Sequence, residues 1–172
     1  LICITESWLT GNIPESCVTL EGFTTDRSDR EGRKGGGICA WIKTDTTSSE
    51  VSRHLCDDYE SLWLRARPAR LPRALLIRVI YLKTKTYWKA YTKHPDAGLI
   101  ITGDFNRKCI KSICRKLGVK QLVNFPTRAN ATLDLILSNI QDYYDEPIQP
   151  PPLGRSDHDS IFFTPKQFVA PK

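Results

Sequence analysis

Methionine is absent from the 172 residues, and no apolar run approaches the length a helix needs to span a bilayer, so no membrane partner is expected. The six cysteines lie scattered at positions 3, 17, 39, 56, 109 and 114, with no Cys-x-x-Cys pair or Cys/His spacing that would hold a structural zinc. They read as small buried hydrophobes in a reducing compartment rather than as a disulfide framework. Neither a secretory signal nor a cleavage site occurs in Leu1 to Gly11. Gly35-Gly36-Gly37 lacks the Lys-Ser/Thr of a nucleotide-binding loop and reads as an approach to a strand. Ser156, beside His158, has no nucleophile-elbow pattern, so no Ser-His-Asp esterase is called for. The missing methionine, with a chain that opens inside a strand at Leu1, reads as a piece of a larger translated product.

What is present is ordinary globular content. With 40% hydrophobic and 26% charged residues, the chain can bury a core as a single domain over residues 1–172, expected to be a monomer. Short apolar runs predict strands near Leu1 to Thr5, Val18 to Thr24, Gly37 to Lys43, Ser61 to Arg67, Ala74 to Leu82, Leu99 to Thr102, Thr132 to Leu137 and Ser160 to Thr164. One helix is predicted over Lys108 to Leu117, where Ile110, Ile113, Cys114 and Leu117 recur at helical spacing and Gly118 marks the stop. Pro147, Pro150, Pro151 and Pro152 force an extended approach to the segment after them. The net charge of +6 suits a polyanionic partner. Basic residues concentrate in Arg65 to Arg78, in Lys83 to Lys93 with Tyr87, Trp88 and Tyr91 interleaved, and in Arg107 to Lys120. Such mixtures contact phosphates and stack on bases, although a solvated basic surface accounts equally well for Lys83 to Lys93.

The chemistry concentrates at strand ends. Leu99-Ile100-Ile101-Thr102 runs into Gly103-Asp104-Phe105-Asn106, where the glycine permits a tight turn and a carboxylate and an amide follow. Ser156-Asp157-His158 answers it near the C-terminus, and Glu6 follows the apolar run Leu1 to Ile4. Within Thr132 to Leu137, period-2 alternation puts Leu133, Leu135 and Leu137 on one face and Asp134 on the other with Thr132 and Ile136. A carboxylate there needs a partner or a metal, because burying it unpaired is expensive. Taken singly, each motif also reads as a turn, a cap, a solvated strand end or, for Tyr81, a half-buried packing residue. Hydrolysis of a phosphodiester requires an activated water and neutralised phosphoryl oxygens, which carboxylates, a divalent ion and an imidazole held by an acid can supply.

In order and spacing, Ile4-Thr5-Glu6-Ser7-Trp8-Leu9, Arg33 to Ile38, the strand ending in Tyr81, Gly103 to Asn106, Phe125-Pro126-Thr127-Arg128, Leu133-Asp134 and Arg155 to His158 resemble the endonuclease/exonuclease/phosphatase superfamily. The resemblance is nearest to the apurinic-type endonuclease domain of animal non-LTR retrotransposons. It implies an α/β, DNase I-like sandwich of two sheets flanked by helices, here without the first strand and its metal-side asparagine, and shortened between residues 82 and 94. It implies Glu6 as the ligand of Mg2+ or Mn2+, and Asp157 as both a metal-site residue and the close partner of His158. It implies Asp104 as the group that orients or deprotonates water, Asn106 as a phosphate-side amide, and His158 on a phosphoryl oxygen. Asp134 and Tyr81 are the remaining acid and the phosphate-facing tyrosine. DNA would be the substrate, the parent element's reverse transcriptase the partner, and the nucleus the compartment. The alternatives are a phosphatase-type phosphoesterase of the same superfamily, or a decayed remnant that binds nucleic acid without cutting it.

Overall fold

The computed structural model describes residues 1–32, 35–55, 58–69, 71–82 and 96–167. The expected deletion between residues 82 and 94 and the basic stretch Lys83 to Lys93 lie outside these residues, apart from Leu82 itself. Nine strands form two sheets among the described residues. In the smaller sheet, β1 (Ile2–Thr5) and β2 (Phe23–Ser28) flank β3 (Ile38–Lys43), both antiparallel to it. The larger sheet holds β4 (Thr47–Leu55), β5 (Tyr59–Arg67), β6 (Leu75–Leu82), β7 (Gly98–Asp104), β8 (Lys120–Gln121) and β9 (Asp134–Ser138), in the order β4-β5-β6-β7-β9-β8. Its pairs are antiparallel except β6 with β7, which run parallel and so end at the same edge of the sheet.

Strand alternation sorts the apolar residues into two cores. Leu62, Leu64 and Ala66 of β5, Leu75, Ile77 and Val79 of β6, Ile100 of β7 and Ile136 of β9 meet Ile38, Ala40 and Ile42 of β3 between the sheets. The alternate residues Leu76, Ile80, Leu99, Ile101, Leu135 and Leu137 form a second cluster on the outer face, against which Ile110, Ile113, Cys114 and Leu117 pack. The last three belong to α1 (Lys111–Leu117), which ends at Gly118 in the left-handed conformation. Full burial of each such aliphatic side chain contributes about 1.5–3 kcal/mol.

Several elements differ from their sequence expectation. The strand predicted over Val18 to Thr24 begins at Phe23 and runs to Ser28, because Val18 closes a short 3-10 turn and Gly22 sits at φ 78°, which breaks an extended path. β4 has no counterpart among the predicted strands: Thr47, Ser49 and His54 give it little apolar signal, and it forms by pairing along β5. No strand forms over Ser160 to Thr164. That segment holds only single bridges, Ile148 to Phe162 and Tyr144 to Pro165, while Ile161 and Phe163 still pack on the inner core. A single α-helix occurs among the described residues. Of the cysteines described, Cys39 is buried and Cys3 and Cys114 are partly so, whereas Cys17 and Cys109 are exposed; all five are free thiols.

Candidate active site

Register places the polar residues in a row. Glu60 of β5 pairs with Tyr81 of β6, Tyr81 with Asp104 of β7, and Asp104 with Asp134 of β9. Each shares its strand parity with residues of the inner core, so the row faces the smaller sheet at one end, its neighbours about 4.8 Å apart. β1 delivers Glu6 to the same place, because its last residue Thr5 pairs with Ile38 at the start of β3. The phenol of Tyr81 donates a hydrogen bond to Glu6 Oε1. Burial, and then this bond to a carboxylate, push the Tyr81 phenol well above its ordinary range.

Asp104 is 5% exposed. Its Oδ1 accepts the Asn106 backbone N–H at 2.8 Å and its Oδ2 accepts Asn106 Nδ2 at 2.9 Å; the same amide donates to the Leu82 carbonyl at 2.8 Å. Asn106 adopts φ 47°, which an asparagine tolerates better than most side chains. Burial raises Asp104 from 3.8 to about 6; the Asn106 N–H pulls it down, Asp134 pushes it up, His158 pulls it down and Glu6 pushes it up. The three carboxylates therefore lie within electrostatic reach of one another.

His158 Nδ1 lies 2.7 Å from Asp134 Oδ2, both partly buried. The acid that holds the ring is thus Asp134, from the strand row, and not the adjacent Asp157. Asp157 is 69% exposed and pairs with Arg128 at 2.5 Å. Ser156 Oγ accepts the His158 N–H at 3.0 Å and so shapes the loop. The structure accordingly brings together Glu6, Tyr81, Asp104, Asn106, Asp134 and His158, and sets Asp157 on a neighbouring arginine.

Two further residues position these groups. Thr127 is fully buried; its Oγ1 accepts the N–H groups of Leu133 and Asp134 at 3.0 Å, and its carbonyl accepts the Asp159 N–H at 2.7 Å, which ties the Asp134 strand to the His158 loop. Glu60 is the other. Its signal was available: it shares strand parity with Leu62 and Leu64, an acid on an inward face. Asn106, Arg107, Arg128, Ala129, Ala131 and Leu133 line a cavity of about 330 Å3 beside the site. Arg78, in one of the basic stretches, is buried under the rings of Trp63 and Tyr59, and burial lowers it to about 10.

No three His, Cys, Asp or Glu side chains converge as ligands of one metal ion among the described residues. The donor set fits a hard divalent cation held in another way, by one or two carboxylates with water and a substrate phosphate completing the shell, as is usual for Mg2+. Glu6 is the carboxylate of this group with an exposed side chain. Among the described residues no helix is long and apolar enough to cross a membrane.

No protein-family model and no curated protein matches the chain. Solved structures do. The endonuclease domain of TRAS1, a telomere-specific non-LTR retrotransposon, is 14% identical with a TM-score of 0.57, covering 86% of this chain and 82% of that one. The human Nocturnin catalytic domain, solved with a bound sulfate anion, is 14% identical with a TM-score of 0.60, covering 94% and 80%. The two-sheet architecture is theirs as well, and the chain shares their DNase I-like fold.

Proposed function

We propose that this protein hydrolyses phosphodiesters of DNA with the help of Mg2+ or Mn2+, as a nicking endonuclease of the retrotransposon kind. The observation that carries the reading is the row Tyr81, Asp104 and Asp134, with His158 held on Asp134 and Glu6 on Tyr81. Asp104, raised to about 6, is ionised at neutral pH yet basic enough to take a proton from an attacking water. Asn106 fixes that carboxylate through two hydrogen bonds, so its lone pairs keep one direction. Asp134 engages Nδ1 of His158 and sets the ring, which leaves Nε2 to face a phosphoryl oxygen. Glu6 would hold the divalent ion, whose charge would offset that on the phosphoryl oxygens.

A nucleic acid, rather than a small phosphate ester, is favoured by charge. From Phe105 to Leu133, the segment joining two strands of the row, the chain carries seven lysines and arginines and no acid, against +6 for the whole protein. Of these, Arg107, Lys111, Arg115, Lys116, Lys120 and Arg128 are exposed. In its parent element such a nuclease would act in the nucleus beside a reverse transcriptase. The test is Mg2+-dependent nicking of supercoiled plasmid, alongside hydrolysis of small phosphomonoesters. Nicking that falls by at least about 100-fold in both Asp104→Ala and His158→Ala is the expected result. Nicking unchanged by either substitution, or cleavage of monoesters alone, would overturn the reading.

A further inference from the structure

The fourth member of the row has no role in the chemistry above. Glu60 is 1% exposed, and both its oxygens are engaged. Oε1 accepts Arg30 Nε at 2.5 Å within an Arg30–Glu60 ion pair, and Oε2 accepts the Gly37 N–H at 2.7 Å. The turn it grips in turn grips the Glu6 segment: the Gly37 carbonyl accepts the Ser7 N–H at 3.1 Å, and the Gly36 carbonyl accepts the Trp8 N–H at 2.8 Å. Glu6 and Trp8 are left-handed, at φ 53° and 57°, conformations that strain non-glycine residues and persist only where the surroundings enforce them. The glycines permit the grip. A Cβ on Gly36 would meet the Arg30 guanidinium at 2.2 Å, and one on Gly37 would meet Ser7 Oγ at 2.7 Å.

We propose that Glu60 is the positioning residue of the site: through Arg30 and Gly37 it fixes the Gly36–Gly37 turn, which holds Glu6 in its left-handed conformation against Tyr81. Glu60 touches no reacting atom. Its carboxylate satisfies Arg30 and Gly37 at once, which an amide of the same size does not, because its NH2 would face either the guanidinium or the Gly37 N–H, donor against donor. The consequence for metal binding rests on the reading of Glu6 as the cation's carboxylate ligand. The placement of Glu6 does not.

Two readouts on Glu60→Gln separate these, with Arg30→Gln as a second variant that breaks the same link from its more exposed end and a thermal melt as the check on folding. The first is amide hydrogen exchange by NMR, without metal. Exchange at Ser7 and Trp8 is expected to rise at least tenfold in both variants while the amides of β6 and β7 hold their protection. Unchanged exchange at Ser7 and Trp8 overturns the proposal whatever the metal does. The second is Mn2+ affinity by EPR titration, expected to weaken by about 10–100-fold, as removal of an outer-shell partner does. If Glu6→Gln abolishes Mn2+ binding and Glu60→Gln leaves it unchanged, Glu60 only braces the turn and the proposal fails. If the unmodified protein binds no Mn2+, the metal reading fails, and amide exchange still decides the placement.

Discussion

Asp104 shows at the scale of one residue how a site is tuned by placement. Its sequence neighbours are those of many strand-to-loop turns, yet burial in the row raises its carboxyl from 3.8 to about 6. The folded state therefore holds this proton more tightly than the unfolded chain does. That stabilising contribution is present below about pH 4 and is lost as pH rises through about 6. In metal-free buffer, the melting temperature of the wild type is expected to fall between these values relative to that of Asp104→Asn. Parallel melting curves across that interval would contradict the raised value. Nicking should rise over the same interval, since the ionised form is the base.

At the scale of the element, one substitution has two outcomes depending on what faces the new methyl group. Gly118 ends α1 at φ 63° with open space around it, so Gly118→Ala adds only the backbone cost, about 1 kcal/mol. Gly103 lies in β7 at φ 131°, where a Cβ would meet the Ile80 carbonyl oxygen at 2.0 Å across the parallel pair. Gly103→Ala is expected to destabilise by about 3 kcal/mol or more, and to disturb Asp104 one residue on. Urea denaturation of the two variants measures the contrast; equal losses would mean that β6 and β7 can part cheaply at this point. Element legibility followed the same division. β3, β5, β6 and β7 are apolar enough to declare themselves, whereas the polar β4 exists because β5 offers it a hydrogen-bonding edge.

Across the whole molecule, charge is distributed unevenly along the sheet. The acid-free segment Phe105 to Leu133 joins β7 to β9 and starts and ends beside the site. Arg65, Arg67 and Arg73 are exposed at the other end of β5 and β6, since β6 rises from Leu75 to reach the site at Tyr81. That is a separation of roughly 20 Å over the strand at about 3.3 Å per residue. Neutralising Lys111, Arg115 and Lys116 together is expected to lower the salt slope of duplex DNA affinity by about 2–3, at about 0.9 for each phosphate that the protein ceases to neutralise. The same treatment of Arg65, Arg67 and Arg73 should leave the slope unchanged. Binding isotherms over a salt series measure both, and equal effects would mean that the charge acts only as a diffuse field.

Apolar periodicity and glycine placement were enough to define most strands and the helix with its stop at Gly118, because those features depend on neighbours along the chain; the sandwich class came from the resemblance in motif order. The residues that meet in the site were legible too, as acids and a histidine at strand ends. Their pairing was not. Asp157 adjoins His158 in sequence, but Asp134 reaches the ring, since β9 carries that carboxylate to the row while the loop turns Asp157 toward Arg128. Glu60 stood on an inward strand face and Thr127 within the Phe125 to Arg128 motif, but what each positions was not legible for the same reason: each acts on residues brought near by strand register and loop packing. Local chemistry is encoded residue by residue, whereas partnership across a sheet depends on which strands lie side by side, and only the tertiary structure decides that.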